Sequence, residues 1–123
     1  MHQLNKMILI VDDSYLIIER IKDMLSEIMS MEMIMHAHTY TDAVEILNKT
    51  LPDIILLDIN LPDINGIELL RLIKETYPAI AVVMLTNQGG DYYRQLCNKI
   101  GANHFIDKST DFELIPEILI NLY

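Results

Sequence analysis

Five polar residues stand at the ends of short apolar stretches, and their side chains could do chemistry together: Asp12, Asp13, Asp58, Thr86 and Lys108. Three carboxylates a few ångström apart repel one another, and a hard divalent cation relieves that repulsion. Oxygen ligands suit Mg²⁺ or Mn²⁺ rather than zinc, which prefers Cys and His. A cation and a lysine on either side of Asp58 would prepare that carboxylate to form an acyl phosphate. These residue types therefore indicate metal-assisted phosphoryl chemistry.

The elements that must position these residues alternate regularly along the chain. Mainly apolar runs predict five strands, at residues 7–11, 33–37, 54–57, 79–85 and 104–106. Several of these runs are continuous rather than alternating, as in parallel strands that are buried on both faces. Amphipathic stretches predict five helices: one capped by Ser14 with its apolar stripe reaching Ile28, one from about residue 41 that ends before Pro52, then 65–76, 91–100 and about 111–122.

This alternation predicts a doubly wound α/β fold, with one five-stranded parallel sheet and helices on both of its faces. In open sheets of this kind, sites form outside the carboxyl ends of the strands. The five polar residues all follow strands, so we expect them to meet at one edge of the sheet.

The composition limits the classes of function. A chain of 123 residues, 51% hydrophobic and 22% charged, predicts a single domain over residues 1–123 with a substantial core. The longest apolar run, 79–85, is far shorter than the roughly 20 residues that span a membrane. Without a signal segment, we expect a cytoplasmic protein. The net charge of −9 argues against direct binding to nucleic acid or to a membrane.

Four motifs give the chain a family resemblance: Asp12-Asp13, Asp58-Ile-Asn60-Leu-Pro62 with Gly66, Thr86, and Phe105-Ile-Asp-Lys108. Together they resemble a response-regulator receiver domain of two-component signal transduction, over essentially the whole chain. The resemblance implies a flavodoxin-like, or CheY-like, sheet with the strand order 2-1-3-4-5. It also implies that Asp58 accepts a phosphoryl group from a phosphohistidine of a sensor histidine kinase or a phosphotransfer protein.

The same resemblance implies a role for each residue of the site. Asp13 and Asp58 would bind Mg²⁺ directly, together with the backbone carbonyl of Asn60, and Asp12 would act mainly through a bound water. Lys108 would pair with one phosphoryl oxygen, and Thr86 would donate a hydrogen bond to another. Such a domain catalyses its own phosphorylation and dephosphorylation and turns over no separate substrate.

Switching and lifetime are also implied by the resemblance. Phe105 would be the switch aromatic, which swings from exposed to buried as Thr86 moves, and the side chains of Asn60 and Gln88 would tune the lifetime of the phosphorylated state. The face made by the fourth helix, the fifth strand and the fifth helix would select an output protein or domain. Phosphorylation-dependent homodimers are common in similar domains.

Two residues depart from the family pattern. Ser109 follows Lys108 where a proline, joined by a cis bond, is usual. A cis bond before a non-proline residue costs about 2.5–4 kcal/mol, so a trans bond and a looser loop are expected here. Asn87 follows Thr86 where a small residue is usual, and its bulk could narrow access to Asp58.

Other readings of the same residues stay open. The chain could be a receiver-like scaffold that is never phosphorylated, or, less in keeping with the residues, a Mg²⁺-dependent phosphatase with an Asp nucleophile. Such phosphatases need a second Asp two residues after the nucleophile, where Asn60 stands. His36 and His38 share one face of a strand, which permits a metal site but more often reflects packing. The chain could be a free-standing receiver or part of a larger regulator.

Overall fold

The computed structural model describes residues 3–87 and 90–122. Five parallel strands form one sheet in the order β2-β1-β3-β4-β5, as the resemblance implied. The strands are β1 (Ile8–Val11), β2 (Ile34–Ala37), β3 (Ile54–Asp58), β4 (Ala81–Thr86) and β5 (His104–Asp107). The doubly wound fold predicted from the alternating pattern is therefore confirmed.

In the part of the chain that the structure describes, five α-helices connect or follow the strands: α1 (Tyr15–Leu25), α2 (Tyr40–Leu47), α3 (Gly66–Thr76), α4 (Asp91–Ile100) and α5 (Ile115–Asn121). Side chains of Ser14, Thr39 and Asn65 cap the first three helices by accepting backbone N–H bonds. No helix in the described part of the chain is long and apolar enough to cross a membrane.

Two helices differ from their predicted limits. The last helix was expected from about residue 111, but Phe112–Leu114 forms a 3₁₀ turn and α5 begins at Ile115. Pro116 has no N–H to donate, so it is accommodated in the first turn of a helix, and α5 starts just before it. The first helix ends at Leu25, although Ile28 still packs against the core.

The core lies in two layers, one on each face of the sheet. Ile8 and Ile10 of β1 face α1 and α5, whereas Leu9 and Val11 face α2, α3 and α4. All four of these side chains are fully buried. Because both faces are covered, the central strands β1, β3 and β4 have no polar face, which explains their continuous apolar runs. Apart from the exposed His36 of the edge strand β2, the polar residues of the strands stand at the strand ends.

Gly66, the first residue of α3, closes the loop that follows β3. Its N–H donates to the Ile59 carbonyl at 2.7 Å. A Cβ atom at this position would overlap the carbonyl oxygen of Asp58. The chain therefore needs glycine here for a close backbone approach, beside the residue on which the candidate site is centred.

We expect Gly66→Ala to lower the free energy of unfolding by about 2–3 kcal/mol, because the backbone of β3 or α3 must move to admit the methyl group. Urea unfolding at neutral pH measures the change. Gly90→Ala is the matched control, since a Cβ there meets nothing within 4 Å. Equal stabilities for the two variants would contradict the close approach at Gly66.

Candidate functional site

The three carboxylates predicted for the site meet at the edge of the sheet where the strands have their C-terminal ends. Asp12 follows β1 directly, and Asp58 ends the neighbouring strand β3. One oxygen from each of Asp12, Asp13 and Asp58 lies within 4.8 Å of the others. Asp12 and Asp58 are buried, and Asp13 is exposed. The arrangement is an acidic pocket that is open to solvent on the side of Asp13.

Lys108, just after β5, reaches into this pocket. Its Nζ lies 2.5 Å from Oδ2 of Asp12 and 3.5 Å from Oδ2 of Asp58. Only 5% of the lysine side chain is exposed. Its backbone N–H donates to the Thr86 carbonyl at 2.7 Å, which ties the lysine to the end of β4. Three ionised carboxylates and one ammonium leave a charge of −2, which suits one divalent cation.

The electrostatics of Asp58 differ from those of an exposed aspartate. Burial raises the pKa of its carboxyl from the ordinary value of 3.8 to about 6. The ammonium of Lys108 and the N–H of Asn60 oppose this rise, while the charges of Asp12 and Asp13 add to it. Near neutral pH the carboxylate is therefore mostly ionised, but it is held in surroundings that favour neutralisation by a proton or a cation.

The remaining predicted site residues lie around the pocket. Thr86, the last residue of β4, is only 1% exposed, and it pairs with Asp107 across the sheet. Asn60 is exposed, and its N–H donates to Oδ1 of Asp58 at 3.3 Å. Phe105 is buried beside α4, with the Arg94 guanidinium 4.9 Å from its ring centroid. Gln88 lies outside the described residues.

Asp107 restrains the loop that carries Lys108. No cis peptide occurs in the described ranges, so the bond from Lys108 to Ser109 is trans, as expected without a proline. The Asp107 carboxylate accepts the Ser109 N–H at 2.8 Å and the Ser109 hydroxyl at 2.5 Å. These hydrogen bonds, led by the hydroxyl, lower the pKa of Asp107. A local turn therefore restrains the loop after Lys108, which was expected to be looser without a proline. The Asp-x-Ser spacing of this turn is a signal that the sequence already contains.

His36 of β2 and His38, just after that strand, do not form a metal site with a third ligand among the described residues. Their ring centroids are 5.4 Å apart. Nδ1 of His36 lies 3.1 Å from Lys22 Nζ, and Nδ1 of His38 lies 3.3 Å from the carbonyl oxygen of Asp12. Within residues 3–87 and 90–122, the acidic pocket is the one group of three or more His, Cys, Asp or Glu side chains that could hold a metal ion. Neither histidine belongs to it.

Comparison with known proteins identifies the family. The model of the response regulator receiver domain matches residues 8–120, so the chain belongs to this family. Receiver domains generally act as signalling switches, and they interact with sensor kinases and output domains. The sequence-based identification is confirmed.

Two curated relatives and one solved structure illustrate the similarity. The chain is 33% identical, over 89% of its length, to the transcriptional regulatory protein DegU of Brevibacillus brevis. It is 38% identical, over 85% of its length, to a protein-glutamate methylesterase/protein-glutamine glutaminase of Desulfotalea psychrophila. The Mn²⁺-bound response regulator Rcp1 superposes with a TM-score of 0.78 at 25% identity, covering 93% of this chain and 88% of that one.

The matched region is less than half of each of these two curated relatives. It covers 47% of the DegU protein and 29% of the methylesterase. The named activities of those proteins therefore belong to chains that are much longer than the shared domain.

The raised pKa of Asp58 predicts a pH-dependent stability in the absence of divalent cations. The folded state binds this proton more tightly than the unfolded chain, so the stabilisation is complete below pH 3.8 and is lost as the pH rises through about 6. The difference in unfolding free energy, Asp58→Asn minus wild type, should therefore rise by about 2 kcal/mol between about pH 4 and about pH 7.5.

Urea unfolding in EDTA at a series of pH values measures this difference. Asp53→Asn is the control, because Asp53 stands just before the other end of β3, away from the acidic pocket. The same pH trend in both variants would show that burial of Asp58 is not the cause.

Proposed function

We propose that this domain accepts a phosphoryl group on Asp58 from a phosphohistidine of a sensor histidine kinase or phosphotransfer protein. One observation carries the proposal: the buried Asp58 carboxylate lies between an acidic cluster and the ammonium of Lys108. Such a carboxylate has the surroundings that phosphoryl transfer requires, with positive charge on both sides once a cation is bound. Membership of the receiver family supports the same assignment.

The donor set fits Mg²⁺ or Mn²⁺, because it consists of carboxylate oxygens in a pocket that is open on one side. Asp12, Asp13 and Asp58 would hold the ion, with the backbone carbonyl of Asn60. The Mn²⁺-bound form of the similar regulator supports this assignment. When bound, the ion neutralises the charge on the phosphoryl oxygens.

The transfer itself requires an ionised Asp58. One carboxylate oxygen forms a bond to phosphorus while the P–N bond of the phosphohistidine breaks. The imidazole leaves with the bonding electron pair and takes up a proton from solvent. Lys108 exchanges its contact with Asp58 for a phosphoryl oxygen, and the Thr86 hydroxyl donates to another. In a separate step, a water oxygen bonds to phosphorus while the bond from the Asp58 carboxylate oxygen breaks, releasing inorganic phosphate and the free carboxylate, and Asn60 and Gln88 set the rate of this hydrolysis.

Output then depends on β4, β5 and their neighbouring helices. Thr86 ends β4, and Phe105 occupies the adjacent strand beneath Arg94 of α4. Phe105 is already buried in this structure rather than exposed, so movement of Thr86 towards the phosphoryl group would change the packing of its ring rather than bring it in from solvent. The α4-β5-α5 face would thereby select an output partner or a second copy of the domain.

Exposed apolar side chains near the pocket suit a protein partner. Tyr15 and Leu16, at the start of α1 and one residue beyond the acidic pair, are 70% and 69% exposed, and Leu114 is 47% exposed after the Lys108 loop. Large apolar side chains left in water next to a reactive group are typical of a docking surface. We propose that the phosphohistidine donor docks on this surface. We also propose that the protein acts in the cytoplasm and that residues 1–123 form a single domain.

Incubation with acetyl phosphate and Mg²⁺ tests the phosphoacceptor directly. Intact mass should show the gain of one phosphoryl group in the wild type, and none in Asp58→Asn or in the presence of EDTA. Asp53→Asn, with its carboxylate at the other end of the same strand, should be labelled as the wild type is. Labelling of Asp58→Asn, or no labelling and no beryllofluoride binding by the wild type, contradicts the proposal; the second result favours an unphosphorylated scaffold.

Thermal unfolding tests the metal site. Mg²⁺ at about ten times its dissociation constant should add about 1.4 kcal/mol of stability and raise the Tm by a few degrees, through binding to the folded state alone. Asp13→Asn should remove most of this shift, because Asp13 is the exposed ligand and its loss disturbs no buried pair. An equal shift in both proteins would rule out Asp13 as a ligand.

A further inference from the structure

The loop between β3 and α3, residues 59–65, carries Asn60 and is largely exposed. Its two ends are fixed by local hydrogen bonds. Gly66 N–H donates to the Ile59 carbonyl, and the Asn65 side chain accepts from the Ile67 N–H at 2.7 Å. The tip of the loop, around Asp63, is exposed, so its position depends on other contacts.

Asp63 makes those contacts with the start of α2. Its Oδ1 accepts the Tyr40 N–H at 2.9 Å, and its Oδ2 accepts the Thr41 N–H at 3.0 Å and the Thr41 hydroxyl at 2.9 Å. The partners are 22 and 23 positions away in the chain. A carboxylate at a helix N-terminus is stabilised by the free N–H groups and the helix dipole.

The electrostatics agree with this geometry. Desolvation raises the pKa of the Asp63 carboxyl, but the hydrogen bonds from the Thr41 and Tyr40 N–H groups outweigh it, and the pKa lies well below its usual range. Thr39 also caps α2, by accepting the Asp42 N–H at 3.0 Å. The helix therefore already has its own cap, and Asp63 is a second cap supplied by another segment.

The start of α2 is a firm anchor beside the acidic pocket. It follows β2, whose last residue, Ala37, accepts the Asp12 N–H at 3.1 Å. A loop tied to α2 is thus held against the same framework that positions Asp12. Asp63 and Asn60 are three residues apart in one short loop, so the tether limits where the Asn60 carbonyl can lie.

We propose that Asp63 is a positioning residue: its carboxylate holds the β3–α3 loop against α2 so that the Asn60 carbonyl is already in place for the divalent cation. This role rests on the proposed function. Without the tether, the loop must be ordered when the cation binds, and the affinity falls by the free energy of that ordering. Phosphoryl transfer in the loaded site keeps its rate, because Asp63 touches neither Asp58 nor Lys108.

The experiment compares the wild type with Asp63→Ala, Asp63→Asn and Asp53→Ala. Asp53 is the matched control: its exposed carboxylate also ties two distant segments, by accepting the Met7 N–H at 2.8 Å, but at the opposite edge of the sheet. Mg²⁺ binding is measured by calorimetry at about pH 8, and acetyl phosphate labelling is measured as a function of Mg²⁺ concentration.

We expect Asp63→Ala to raise the Kd for Mg²⁺ by about tenfold, with the labelling rate at saturating Mg²⁺ within about twofold of the wild type. Asp63→Asn keeps one acceptor oxygen, so its Kd for Mg²⁺ should lie between those of the wild type and Asp63→Ala. Asp53→Ala should lower the Tm and leave the Kd unchanged. This separation of Kd from maximal rate distinguishes positioning from general loss of stability.

Equal Kd values in Asp63→Ala and Asp53→Ala, with normal binding by the wild type, would overturn the role of Asp63 alone. A fall in the maximal rate at unchanged Kd would overturn it as well. Failure of the wild type to bind Mg²⁺ would overturn the proposed function together with this role, so the two failures are distinguishable.

Discussion

The Lys108 ammonium between the buried carboxylates of Asp12 and Asp58 is the interaction on which the site depends. Two buried like charges are unfavourable unless an opposite charge and hydrogen bonds accompany them. Lys108 supplies that charge, yet one ammonium does not balance three carboxylates. The pocket therefore keeps a net negative charge, and the charges of Asp12 and Asp13 add to the rise in the pKa of Asp58 that burial mainly causes. The same imbalance lowers stability and attracts positive charge to the pocket.

The packed sheet holds the charged residues of the pocket in place despite their excess of negative charge. Strands covered on both faces form a close-packed core, so the backbone holds Asp12, Asp58 and Thr86 in place without relying on their mutual attraction. The exposed loops need other means. Gly66 allows close approach at the base of one loop, Asp63 ties its tip to α2, and Asp107 restrains the Lys108 loop. Each device uses hydrogen bonds or a missing Cβ rather than apolar burial.

Sequence-based reasoning performed best where the signal is local. Hydrophobic runs located every strand to within about two residues, and the residues behind those runs were the ones that meet at the sheet edge. It was less accurate for α5, where Pro116 moved the start of the helix. Asp63 and Asp107 were missed, because an exposed aspartate in a loop looks the same whether or not it tethers another segment.

The sequence by itself determined the element order, the apolar faces and the residue types at the strand ends, because each of these follows from periodicity over a few neighbouring positions. Tertiary structure alone decided that Lys108 lies closer to Asp12 than to Asp58, a contact across 96 positions of chain. It likewise decided the burial of Asp58 and the tether from Asp63 to α2. Distances and desolvation arise only when separate segments pack together, and neither is encoded in any single stretch of residues.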